Sequence, residues 1–202
     1  MEETRITRGL DRRALLRIGV LTGAGVVVAG AVAAPRNARA ASLQPGWDHC
    51  TLCQGMYYGN GQNTAGVCPG NNGGKHNPGT SHNYTLEFNG GSSNGNPQSG
   101  WDHCINCQGL YYGNGRNFAG VCPANGGTHN RGTSFNYALA HGGGSPSGNP
   151  QSGWNHCIQC QGLYYGNDNI AGVCPKPDPS LRLFGPVHSP GTSFDYNIQW
   201  TT

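Results

Sequence analysis

Charge is scarce in this chain, and most of the positive charge sits at one end. Seven of the twelve Lys and Arg precede Ala41, leaving Lys75, Arg116, Arg131, Lys176 and Arg182. Against these stand Asp48, Glu87, Asp102, Asp168, Asp178 and Asp195, a net charge of about −1 with His neutral. No Lys/Arg cluster remains to neutralise phosphates, which argues against a nucleic-acid partner. Large aliphatic side chains are also few, and Gly, Asn and Pro interrupt every few residues, so no window beyond residue 40 suits an amphipathic helix. H-E-x-x-H and P-loop patterns are missing, and the recurring Asp48 and Asp102 give way to Asn155 at the third equivalent position. A redox use of C-x-x-C would want a βαβ context that this composition does not provide. The chain therefore reads as non-enzymatic, with a secreted enzyme or redox protein the less favoured alternative.

The first forty residues differ from the rest. "DRRALLR" (Asp11–Arg17) precedes a chargeless run from Ile18 to Ala34 and then "ARA" at Ala38–Ala40. A basic region, an apolar region and a small-x-small site define an export signal. Gly19, Gly23, Gly25 and Gly30 dilute the apolar run, whereas a stable membrane span wants about 20 strongly apolar residues. Arg12 and Arg13, followed by Leu15, Leu16 and Arg17, resemble a twin-arginine signal. That resemblance implies bacterial export of an already folded protein, often one carrying a cofactor. The expected product is secreted, begins at Ala41 after cleavage at Ala38–Ala40, and keeps no stable membrane span.

Beyond the signal, one module is spelled three times, over residues 41–98, 99–151 and 152–202. Each copy reads W-[DN]-H-C-x-x-C-Q-G-[LM]-Y-Y-G-N, then A-G-V-C-P, then H-x-x-G-T-S-x-[ND]-Y. Gly/Ser/Asn stretches, "NGGSSNGNPQSG" and "HGGGSPSGNPQSG", read as connectors, and the third copy carries the insertion "KPDPSLRLFGP". Short pieces such as "MYYG", "GVCP", "NYTLEF" and "FDYNIQW" suit brief strands joined by tight turns. One copy of about fifty residues cannot bury enough apolar area to offset chain entropy, so it needs a metal, a disulfide or its neighbours.

All nine Cys fall in the motif, three per copy, and three is an awkward number for disulfides within a module. Adding the repeated His gives four candidate ligands per copy: Cys50, Cys53, Cys68 and His76; Cys104, Cys107, Cys122 and His129; Cys157, Cys160, Cys174 and His188. A closed Cys3His set suits tetrahedral, structural zinc, up to three ions per chain. Disulfides within or between copies are the alternative, because exported proteins meet oxidising conditions. "C-x-x-C-Q-G-[LM]-Y" resembles a zinc knuckle, the tight bend of a zinc ribbon, in which a Gly after the second Cys turns the backbone toward the sulfurs. "GVCP" would bring the third thiolate from a second hairpin. The other repeated histidines, His49, His103 and His156, are expected to be half-exposed and bonded to a loop. His82 and His141 have no evident counterparts and read as ordinary surface residues.

Trp47, Trp101 and Trp154 open the modules and Tyr84, Tyr137 and Tyr196 close them, and both sets are expected in the core. Of the pairs Tyr57–Tyr58, Tyr111–Tyr112 and Tyr164–Tyr165, one ring would face in and the other out. The outward ring, beside Asn60, Asn114 or Asn167, would stack on a sugar. Burial of both rings at copy boundaries is the competing reading. The fold expected is all-β, one pseudo-threefold unit similar to a β-trefoil, with three zinc-ribbon-like beads on soft linkers as the alternative. The repeats also resemble secreted bacterial proteins with tandem W-x-x-C-x-x-C-Q-G-L motifs, which implies an exported repeat module without naming a ligand. The trefoil comparison implies carbohydrate binding. The reading is thus a secreted protein that binds a polysaccharide or cell-surface polymer, with an extracellular metal-binding or structural protein as alternative.

Overall fold

The computed structural model describes residues 42–60, 65–90, 96–114, 120–143, 148–167, 172–176 and 187–201. The export-signal residues Arg12, Arg13, Ala38 and Ala40 lie outside them, as does most of the third-copy insertion. Among the described residues no helix is long and apolar enough to cross a membrane.

Each copy contributes a long strand, a short strand and a closing strand. They are β1 (Ser42–His49), β2 (Met56–Tyr58) and β3 (Asn83–Phe88), then β4 (Asn96–His103), β5 (Leu110–Tyr112) and β6 (Tyr137–His141), then β7 (Asn149–His156), β8 (Leu163–Tyr165) and β9 (Tyr196–Thr201). The long strand pairs antiparallel with the short one, Trp47 opposite Tyr58 and His49 opposite Met56, and with the closing strand, Ser42 opposite Phe88. Its register slips between Pro45 and Trp47, with equivalent slips in the other copies. Gly46, Gly100 and Gly153 stand at these bulges with φ between 92° and 100°, a region closed to side chains.

The copies close on one another twice. β3 pairs with β6, β6 with β9 and β9 with β3, so the closing strands form a triangle. At the other end, bridges Tyr57–Gly109, Tyr111–Gly162 and Gly55–Tyr164 join the short strands in a second triangle. This is the closed pseudo-threefold unit, and three separate beads are ruled out because every copy hydrogen-bonds to both others. The stretches read as connectors are half strand: "NPQSG" opens both β4 and β7. Local propensity disfavours strand there, and pairing with the closing strand overrides it. "GVCP" departs the other way. It forms no strand, and in the first copy it leads into a 3-10 turn at Pro69–Asn71.

The three tryptophans and three closing tyrosines fill one core with Met56, Leu86, Leu110, Leu139, Leu163 and Ile198. Trp47 meets Tyr137 edge-on at 5.2 Å, Trp101 meets Tyr196 at 5.2 Å, and Trp154 meets Tyr84 at 5.3 Å. Each such contact spans two copies and contributes about 0.5–1.5 kcal/mol beyond the area it buries. The tyrosine hydroxyls also cross copies, donating to Gln44, Gln98 and Gln151 of the long strands.

Candidate metal centres

The end of each long strand delivers a Cys into a tight turn that returns along the short strand. Cys50 and Cys53 flank this turn, and the loop after β2 brings Cys68 and His76 over it; the other copies repeat the arrangement. In each copy the four ligand atoms lie within 4.8 Å of one another. The sulfurs are 0–2% exposed by residue and the histidines 4–6%.

Pair distances show what such a cluster fits. Cys50 Sγ lies 3.6 Å from Cys68 Sγ, and the equivalent pairs Cys104–Cys122 and Cys157–Cys174 are at 3.8 Å. Cys53 Sγ, Cys107 Sγ and Cys160 Sγ each lie 3.5 Å from the Nδ1 of their histidine. Around a zinc-sized ion, tetrahedral edges are about 3.8 Å between sulfurs and about 3.5 Å between sulfur and nitrogen. A disulfide needs about 2.05 Å, and all nine Cys are free thiols. The donors fit a metal ion and do not fit the disulfide alternative. His188 reaches Cys160 at the same 3.5 Å as its counterparts, so the insertion before it leaves the site unchanged.

The electrostatics point the same way. Hydrogen bonds from Cys53, then Cys68, draw the Cys50 thiol strongly down, while bonding to Cys50 and burial push Cys53 well up. Cys104/Cys107 and Cys157/Cys160 behave alike. Burial pulls His129 down, but hydrogen bonds to Cys104 and Cys122 outweigh it and carry it to about 9. Without a cation, each cluster thus holds one thiol drawn toward its thiolate beside another held in its neutral form. A divalent ion is what lets all three ionise together.

Each histidine is held from behind by the next copy. His76 Nε2 donates to the Cys107 carbonyl, His129 Nε2 to that of Cys160, and His188 Nε2 to that of Cys53, all at 3.2 Å. With Nε2–H engaged by a carbonyl, Nδ1 is the ring nitrogen left facing the sulfurs and available to an ion, the outer-sphere arrangement that orients metal-binding imidazoles. Val67, Val121 and Val173 donate their backbone N–H groups to the same three carbonyls at 3.3 Å. An almost wholly apolar cavity of about 50 Å³ lies where the three knuckles meet, lined among others by His76, His129 and His188.

Tyr57, Tyr111 and Tyr164 lie flat on these histidines at 4.5 Å, buried to 0–2% exposure, and present no face to solvent. Tyr58, Tyr112 and Tyr165 are half-buried between two rings: Tyr58, for example, has Trp47 at 5.3 Å and His103 of the next copy at 5.4 Å. Asn60, Asn114 and Asn167 are exposed, and Tyr58 and Tyr165 share hydrogen bonds of 3.1 Å with Asn60 and Asn167. The structure brings together all twelve candidate ligands, whereas the tyrosine pairs divide between the metal cluster and the tryptophan core.

Three features escaped the sequence reading. The knuckle turns at Gln rather than Gly: Gln54, Gln108 and Gln161 take φ of 62°, 62° and 65°. Each is held by two side-chain bonds, accepting from His49, His103 or His156 Nε2 at 2.7–2.9 Å and donating to a turn carbonyl at 2.8–2.9 Å. This is the loop contact expected of those histidines, and burial lowers the pKa of each. The Gln recurs in all three copies, a signal that could have been used. The Gly of A-G-V-C-P is set against the neighbouring knuckle. A Cβ at Gly66, Gly120 or Gly172 would fall 1.8–2.1 Å from the Cys107, Cys160 or Cys53 carbonyl oxygen. Lastly, a G-x-S-x-G string at Gly91–Gly95 lies outside the described residues; the next element is strand β4, not the helix a nucleophile elbow requires. No protein-family model, curated protein or solved structure matches this chain.

Proposed function

We propose that this is an exported, non-enzymatic binding protein whose three Cys3His sites hold structural zinc and whose threefold body presents equivalent faces to a polysaccharide or cell-surface polymer. The observation that carries the metal half is the set of matched tetrahedral edges in three buried clusters. Four protein donors leave no coordination position for water or substrate, as structural zinc requires and catalytic zinc does not. Burial of every donor, together with the bond behind each histidine, favours retention of the ion until unfolding over the exchange a metal-sequestering protein needs.

The binding half is supported by repetition. A body with three equivalent faces gains avidity on a repetitive polymer from individually weak sites. Elemental analysis of protein purified without added metal or chelator should give three zinc ions per chain, and co-sedimentation with insoluble cell-wall polysaccharide should deplete it from solution. Substoichiometric, freely exchanging metal would favour sequestration, and failure to sediment with any polysaccharide would contradict the binding half.

A further inference from the structure

At every seam between copies two flat rings lie face to face on the surface. Phe88, ending β3, stacks on Phe135 at 4.0 Å and 15°. His141, ending β6, stacks on Phe194 at 3.9 Å and 8°, and Trp200 of β9 stacks on His82 at 3.9 Å and 17°. The outer rings are open to solvent: Phe135 is 41% exposed, Phe194 46%, and His82 is exposed as well. Each pair stands edge-on over a closing tyrosine, Tyr137, Tyr196 or Tyr84. His82 and His141, read from the sequence as unrelated surface residues, are thus members of a threefold set.

The chain itself supplies the comparison that identifies the set. The outer position holds His, Phe and Phe in the three copies, and the inner holds Phe, His and Trp. All six are planar rings, and none is aliphatic. A position that merely shielded strands would accept Leu or Val, and imidazole is a poor cover for apolar surface. We propose that these three seams are binding sites that stack the apolar face of pyranose rings in a neutral polysaccharide. The inference rests on the binding reading above and tells where that binding occurs.

Charge selects this occupant. A nucleic-acid strand would stack on the same rings but needs cations along its backbone, and the Lys and Arg side chains among the described residues are Lys75, Arg131 and Lys176, none of them in a seam pair. Arg131 is already bonded to Asp102 at 3.1 Å. An anionic glycan meets the same shortage. Hydrogen-bonding groups for sugar hydroxyls follow each outer ring in sequence: exposed Asn83, Asn136 and Asp195. Each uses one side-chain oxygen on the bulge N–H of Gly46, Gly100 or Gly153, leaving an amide nitrogen or a second carboxylate oxygen.

Affinity electrophoresis of the zinc-loaded protein tests this, in gels containing a soluble β-1,3-glucan, xyloglucan or mannan, with dextran sulfate as the anionic comparison. Retardation is expected on a neutral polymer. The triple variant His82→Leu, Phe135→Leu, Phe194→Leu keeps apolar cover but removes the flat faces, so it should lose at least about tenfold in affinity while zinc content and Tm stay as in the parent. Phe135→Trp should retain binding. If the triple variant binds as well as the parent, the seams are not the site, although the binding reading stands. If the parent is retarded by none of the polymers, dextran sulfate included, both fall. Retardation by dextran sulfate alone overturns the assignment of a neutral ligand.

Discussion

Gly120 and Gly126 share nearly the same left-handed backbone, φ 64° and 66°, but differ in what a methyl group would meet. At Gly126 nothing lies within 4 Å, whereas at Gly120 the Cys160 carbonyl oxygen is 1.8 Å away. Gly126→Ala should therefore cost only the conformational strain, about 1–2 kcal/mol. Gly120→Ala adds displacement of the neighbouring knuckle and should cost at least about 3 kcal/mol; urea denaturation of the zinc-loaded variants measures both. Asp48 offers the opposite effect. Burial raises its pKa from 3.8 to about 6, so the stability linked to its proton is fully present below about pH 4 and is lost as pH rises through 6. Its counterpart Asp102 has Arg131, while the first copy has Pro78 at that position and the third copy uses Asn155. Asp48→Asn should stabilise the protein at pH 8, by up to about 1 kcal/mol once its partial exposure is discounted. The gain should shrink at pH 5.5, and an equal gain at both values would show that ionisation is not the cause.

The knuckle shows how a turn can be legible in residue type and hidden in mechanism. Cys spacing and the repeated His named all twelve side chains that meet in the three clusters, because metal donors are chemically rare and must recur wherever the site recurs. The turn residue was misassigned because left-handed backbone normally points to Gly, whereas here side-chain bonds to His49, His103 and His156 hold a Gln in that conformation. Gln161→Ala keeps the strain and loses both bonds, and should destabilise by about 1–2 kcal/mol. Gln161→Gly relieves the strain as well and should cost less; the reverse order in chemical denaturation would refute this account. The "NPQSG" strands were hidden for another reason. Their Gly, Pro and Asn are poor strand formers, and what makes them strands is distant: pairing with β6 and β9, and a Gln that accepts from a tyrosine hydroxyl in another copy. The stacked seam pairs were equally invisible, since nothing local relates Phe88 to Phe135.

Across the whole molecule the contacts run in a ring. The first copy's histidine leans on the second copy's knuckle, the second on the third, and the third on the first. Strand pairing and the Trp–Tyr contacts close the same circle. No copy should therefore hold its ion in native geometry alone. His129→Ala removes one ligand and one bond to the Cys160 carbonyl, so it should reduce bound zinc below two per chain rather than to two; elemental analysis after desalting reads the number. The ring also explains why a sequence so poor in aliphatic residues folds: three Cys3His clusters, each able to hold an ion, gather its loops, and six large aromatic rings supply a shared core. The most direct test is native mass spectrometry during titration with a zinc chelator. The account predicts two populations, compact chains with three zinc ions and expanded chains with none, with one- and two-zinc species scarce. A compact chain without metal, or a mass deficit showing disulfides in place of zinc, would contradict it.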